Sequence, residues 1–467
     1  MLHRRDAMLR LGTAACGALT LPRLLQAERA GPAKSRSCIF LFMWGGQPQQ
    51  DMWDMKPDAA SGIRSHFEPI QTSVPGICLS DQMPRIAPLA DKLAIVRSLN
   101  HATTDHGVST FHALTGRAMS PPRVFPSNGR RRGDFPGVGS IFSYLGQTGP
   151  GQASVPNFTI PRTVAHDGIR YAGTHAGFLG ARHDPVELGQ VYNHVEVGPR
   201  ADSPQAGFPL ALSDDVSVAR LQARRGLLSL MEQQDRALQA NADLAAYADV
   251  SADAYNLLHT PTVKQALDLE QETASVRDRY GRHEYGESFL TARRLIEAGV
   301  RLVTCNWMFI TPKAKVYNVW DAHGGLNDLE HGETGYGMLT APYCLPSFDQ
   351  AYSALLEDLS QSGLLDETVV ACVGEFGRTP RINPANGRDH WPFCYSGVLA
   401  GGGIRGGTLY GASDKQAAYV KENPATPGDF LATICQACGL DPGREVHDLE
   451  GRPFRICDGD PIQNVLL

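Results

Sequence analysis

Five short runs of apolar residues, each closing on glycine or a polar residue, constrain the fold more than any other feature. They are "SCIFLFMWGG" from Ser37, Leu93 to Ser98, Val300 to Cys305, Thr368 to Val373, and Ser396 to Ala400. A strand with one wet face alternates apolar and polar residues. These runs barely alternate, so they read as strands buried on both faces, the pattern of a mainly parallel sheet covered by two helical layers. Helical patterns lie between several of them. "SFDQAYSALLEDLSQSGLL" offers Ser347 as an N-cap and a stop at Gly363, and "GDFLATICQACGL" ends at Gly439. Strands alternating with helices predict an α/β, three-layer fold. A hydrophobic content of 42% against 20% charged residues is enough to fill such a core.

Residues 36–467 are expected to form a single domain. Two stretches depart from the rhythm. Residues 118–212 are loop-rich, with Pro, Gly and Arg dense between Pro121 and Gly139. Residues 213–298 are expected as a helical insertion, with Leu221, Leu227, Leu228, Met231 and Leu238 on its inner faces. Residues 1–30 read as an export signal of the twin-arginine type: Arg4 and Arg5 precede a mild apolar stretch that Arg10 and Arg23 interrupt. The expected location is periplasmic or extracellular, with no transmembrane segment in the mature chain. A net charge of −6 gives no footprint for nucleic acid. Cys38, Cys305 and Cys372 sit in apolar runs and read as buried thiols. Cys435-x-x-Cys438 falls in a helical pattern with no second pair, so core packing is preferred to a metal half-site. Disulfides are allowed after export, with no pairing readable from spacing.

In open parallel sheets, ligands bind beyond the carboxyl ends of the strands. The first run is followed by Asp51 and Asp54. The second is followed by His101, Asp105, His106, Ser109, Thr110 and His112. After the third, beyond a loop, come Asp321 and His323. After the fourth come Glu375, Arg378, Asp389 and His390. Any one of them has a structural reading as a turn residue, a cap or an ion pair, such as Glu375 with Arg378. Their joint placement after strands points to a metal site. Mixed imidazole and carboxylate ligands suit zinc first, with manganese, magnesium or calcium as alternatives.

The motifs "GGQPQQDMWDMKP", "VRSLNH", "LTGR", "WDAHGG", "GEFGRTPRIN" and "GRDHWP" resemble those of the DUF1501 family of exported bacterial proteins. That family is in turn similar to the alkaline phosphatase and sulfatase superfamily. The resemblance implies an alkaline-phosphatase-like core and metal-assisted hydrolysis of phosphate or sulfate esters. It implies Asp51, Asp321, His323, Glu375, Asp389 and His390 as metal-facing, with His106, Arg378 and Ser109 at the substrate. The sequence departs from the superfamily at two points. His106 stands in the nucleophile's slot, and Phe376 stands where a metal ligand belongs. His106 is therefore expected either to attack or, as the preferred reading, to turn inward as a ligand or general acid.

The expected activity is a metal-dependent hydrolase in the cell envelope, acting on a small anionic ester or a sulfated or phosphorylated glycan. Two rivals stand beside it: a binding protein that kept the fold and lost the reaction, and an envelope scaffold.

Overall fold

The structure is a computed structural model that describes residues 37–146, 157–166, 168–188, 261–307, 309–310, 316–317, 319–324 and 335–467. The expected export signal (1–30) and residues 213–260 of the expected helical insertion lie outside the described residues.

Eight strands form the central sheet: β1 (Ser37–Phe42), β2 (Leu93–Leu99), β3 (Phe158–Ile160), β4 (Val186–Glu187), β5 (Leu302–Asn306), β6 (Thr368–Val373), β7 (Tyr395–Gly401) and β8 (Thr408–Tyr410). Their spatial order is β8-β2-β7-β6-β1-β5-β3-β4. Every pairing is parallel except those of β7, which runs against both β6 and β2. The fold is thus α/β with a mostly parallel sheet.

The apolar runs are continuous because successive residues supply two different cores. In β1, Ile39 and Leu41 join one buried cluster while Cys38, Phe40 and Phe42 join the other. In β6, Val370 and Cys372 face the first, and Val369, Ala371 and Val373 the second. Each large side chain so buried contributes roughly 1.5–3 kcal/mol.

Five helices serve the argument: α1 (His106–Thr115), α2 (Val138–Leu145), α3 (Glu284–Glu297), α4 (Leu345–Gln361) and α5 (Pro427–Ala437). Helices α3 and α4 cover the first face and α1, α2 and α5 the second. Helix α3 falls within 213–298, and its Phe289, Leu290 and Leu295 belong to the first core. Helix α4 begins earlier than expected. Cys344 is its N-cap residue and Pro346 lies in its first turn, while Ser347 Oγ donates to the Pro342 carbonyl. Proline at the first helical turn costs no hydrogen bond, which moves the start upstream of the serine. No helix among the described residues is long and apolar enough to cross a membrane.

Register fixes the rim. Phe42 lies level with Val373 and with Asn306, so the segments after β1, β5 and β6 leave the sheet at one edge. Tyr395 lies level with Leu99, so reversed β7 starts at the edge where β2 ends. The segment 374–394 therefore makes an excursion above that rim, from the end of β6 to the start of β7. Within it, Gly377–Arg378 pairs antiparallel with His390–Trp391.

Candidate metal centre

Three segments meet at the carboxylate of Asp321: the start of α1, residues 321–323 and the excursion 374–394. His106 is the first residue of α1, which Asp105 caps by accepting from Val108 N–H at 2.9 Å. That cap holds the imidazole at the helix start, after the loop that follows β2. His106 Nε2 lies 3.4 Å from Asp321 Oδ2, and His323 Nε2 lies 3.5 Å from the same oxygen. His390 Nε2 lies 2.9 Å from Asp321 Oδ1. One ligand atom from each of His106, Asp321 and His390 falls within 4.8 Å of the others.

The far nitrogen of each imidazole is held by an acceptor. His106 Nδ1 stands 2.7 Å from Glu375 Oε1, His390 Nδ1 stands 3.0 Å from the Thr104 carbonyl, and His323 Nδ1 stands 3.2 Å from the Gly324 carbonyl. Each Nδ1 faces an oxygen acceptor and each Nε2 faces Asp321, so the Nε2 atoms are the ones turned inward, toward where a cation would be held. Glu375 is fully buried, and both its oxygens also accept from Gly45 N–H, at 2.9 and 3.1 Å. Phe376 supplies an apolar wall, its ring centroid 5.0 Å from that of His106 and 4.5 Å from that of His390.

The charges follow from this packing. Burial works against protonating His106, but Asp321 and Glu375 outweigh it and raise its pKa to about 10. Burial likewise opposes ionising Asp321, yet Arg378 and then His106 hold its carboxyl well below the usual range. The bond to Asp321 raises His323, while burial pushes His390 down.

The expected site residues divide. His106, Asp321, His323 and His390 come together, and Glu375 adjoins them through His106. Arg378 pairs with Asp321, not with Glu375. Its buried guanidinium donates to the carbonyls of Gly45, Gly46 and Arg388 and, at 2.7 Å, to Asp321 Oδ1. With those bonds made it positions Asp321 and has no face for a substrate, against its expected place there. Asp51 is also corrected. Both its oxygens are taken by Arg388, at 2.9 and 3.2 Å, and Oδ1 also accepts from Tyr336 Oη at 2.6 Å. Asp54 is bound by Lys56, Arg97 and Ser413. Asp389 is exposed and accepts from Asn383 Nδ2 at 3.0 Å. Ser109 is buried and donates to the Thr103 carbonyl at 3.1 Å, so its hydroxyl is directed into the helix cap.

Sequence reasoning missed Arg388 and Tyr336, which occupy Asp51, and the Thr104 carbonyl, which orients His390. Arg388 stands beside Asp389 and His390 in "GRDHWP", and a buried-arginine reading of that run was the available signal.

Residues 35–466 match the family described as "Protein of unknown function (DUF1501)". The chain belongs to the DUF1501 family. No curated protein matches this DUF1501 chain. Among solved structures, one from work on glycosaminoglycan metabolism by Bacteroides thetaiotaomicron is 13% identical, with a TM-score of 0.43, covering 87% of this chain and 73% of that one. A phosphonate monoester hydrolase from Silicibacter pomeroyi is 13% identical, with a TM-score of 0.36, covering 93% and 76%. The C-terminal periplasmic domain of EcEptC from Escherichia coli, in complex with Zn, is 10% identical, with a TM-score of 0.37, covering 93% and 92%.

Proposed function

We propose that this DUF1501 protein is a metal-dependent hydrolase of phosphate or sulfate esters in the cell envelope, with one divalent cation held by His106, Asp321, His323 and His390. The observation that carries this reading is the convergence of three Nε2 atoms on one carboxylate while an acceptor holds each Nδ1. Three imidazoles and a carboxylate make a donor set suited to zinc, with manganese next and the all-oxygen cations magnesium and calcium less favoured. A divalent cation there supplies Lewis acidity toward an ester oxygen. The chain's own groups do the rest. Glu375 fixes the ring of His106. Arg378 holds one oxygen of Asp321, and the other faces His106 and His323. Phe376 keeps water from one side, which strengthens each charge interaction inside. The substrate class is a small anionic ester or a sulfated or phosphorylated glycan.

A binding protein without turnover is the second reading, and one observation favours it. The guanidinium groups of Arg378 and Arg388 are buried and committed to protein acceptors, so neither meets an anionic ester.

The test is elemental analysis of protein purified without chelator, followed by assay on chromogenic phosphate monoesters, phosphate diesters and sulfates. The hydrolase reading expects bound metal and turnover that disappears in His390→Ala. Bound metal with no turnover on any ester class selects the binding reading. Absence of metal, or activity indifferent to His390→Ala, overturns the site.

A further inference from the structure

Away from the metal centre, the second core contains a cluster of thiols beneath the sheet. Cys435 lies in the last turn of α5, and Cys457 lies in the segment that follows the ribbon formed by Glu445–His447 and Pro453–Arg455. Their Sγ atoms are 3.7 Å apart, and both residues are buried, at 0% and 2% exposure.

The backbone around this pair is already pinned to α5. Asp460 N–H donates to Asp429 Oδ1 at 2.8 Å, and Ile462 N–H donates to Thr433 Oγ1 at 2.8 Å. On the other side, Ile456 N–H donates to the Arg444 carbonyl at 2.9 Å. Closing from the thiol contact to a disulfide bond length of about 2.0 Å needs an approach of roughly 1.7 Å. The neighbouring thiol is directed elsewhere: Cys438 Sγ donates to the Ser37 carbonyl at 3.5 Å and lies against Cys38. The Cys-x-x-Cys spacing is thus the less favoured pairing, although it is the one visible in the sequence.

We propose that Cys435 and Cys457 form a disulfide in the exported protein, stapling the C-terminal segment to α5. The inference rests on the export read from Arg4 and Arg5, and it is independent of the hydrolase reading. In forming, the two thiols lose two protons and two electrons, and an Sγ–Sγ bond replaces two S–H bonds. An external disulfide, of small-molecule or protein type, accepts the electrons and is reduced to two thiols. Because both sulfurs are buried, the exchange takes place before the C-terminal segment closes or during its transient opening. The bond matters to the site through packing. Leu431 of α5 lies against Gly116 at the end of α1, and α1 carries His106 at its other end.

The experiment uses the full-length protein, held in urea just below its unfolding midpoint with a glutathione and glutathione-disulfide buffer, then returned to native buffer. Free thiols are trapped with N-ethylmaleimide under denaturing conditions, and peptides are mapped by mass spectrometry. A parallel sample with maleimide in place of glutathione sets the urea concentration at which Cys435 and Cys457 react. The expected result is a linked peptide joining Cys435 to Cys457, with Cys38 and Cys438 alkylated. The oxidised parent then loses thermal stability on reduction, and a Cys457→Ser variant does not. Recovery of Cys435 and Cys457 as maleimide adducts, or linkage of Cys435 to Cys438, overturns the proposal.

Discussion

Replacing Asp321 by asparagine separates charge from shape at the centre of the site. Asparagine keeps an oxygen for Arg378 Nη2 at the present 2.7 Å but removes the negative charge that balances a buried guanidinium. At a charge separation near 4 Å and an effective dielectric of about 20, that interaction is worth about 4 kcal/mol. Breaking a buried pair from one side costs a similar ~3–5 kcal/mol, because the partner charge is left uncompensated. The depressed pKa of Asp321, which arises against the cost of burial, has the same sign. We therefore expect Asp321→Asn to lose about 4 kcal/mol in urea unfolding followed by tryptophan fluorescence in the presence of chelator. The double variant Asp321→Asn/Arg378→Met should lose less than the sum of the two single variants, since no orphan cation remains. A single variant within about 1 kcal/mol of the parent, or a double variant worse than the sum of its parts, would refute the claim that Asp321 compensates Arg378.

Three further outcomes are expected. Glu375→Gln removes the carboxylate that holds His106 Nδ1–H and should weaken metal binding by roughly 10–100-fold, read by competition with a chromogenic chelator; unchanged affinity would show that His106 needs no such support. Gly377→Ala puts a methyl group 2.4 Å from Gln49 Oε1 and 2.6 Å from Tyr395 Cβ, and should cost ~1–3 kcal/mol in urea while loosening metal retention, because Gly377 belongs to the ribbon that carries His390. Acid should destabilise the fold through His112, which burial and then His101 push down from 6.5 to about 4. The unfolded chain takes up this proton below pH 6.5 while the folded chain does not until about 4, so stability falls across that window, by ~3 kcal/mol in total. Above pH 6.5 the group contributes no slope. A His112→Gln variant should show a flatter dependence between pH 6.5 and 4, and identical slopes would remove His112 from the account.

The parts of this fold that were legible in the sequence are those in which a local pattern reports a global environment. Residues such as Phe40 and Leu41 in β1 are both apolar because each faces a different buried layer, so a doubly covered strand announces itself. The polar residues after those strands follow from the same logic, which is why His106, Asp321, His323, Glu375 and His390 could be named as candidates, and the structure brings them together. Direction was harder. The run at β7 reads as one more parallel strand, yet it pairs antiparallel with β6. The clue was present: residues 374–394 contain no helical repeat, and a parallel crossover is usually built on a helix. Partner choice was not legible. Asp51 and Arg388 lie 337 positions apart, and nothing local distinguishes an aspartate awaiting a metal from one awaiting a guanidinium. The backbone acceptors of Thr104 and Gly324 leave no mark on residue identity at all.

The two arginines also bear on how many cations the centre can hold. A two-metal clamp requires a second set of anionic ligands beside the first. Asp51 was expected to face metal, and its two oxygens are spent on Arg388 and Tyr336. Phe376, where another ligand was sought, gives only a ring face. Arg378 adds a second fixed positive charge, enclosed by carbonyls and by Asp321 Oδ1. A further mobile dication would meet two guanidinium groups and no free carboxylate among the described residues around them. Asp321 Oδ2, by contrast, faces His106 and His323. If the centre holds metal as proposed, one cation per chain is the stoichiometry these charges allow, and two equivalents retained through dialysis would contradict the argument.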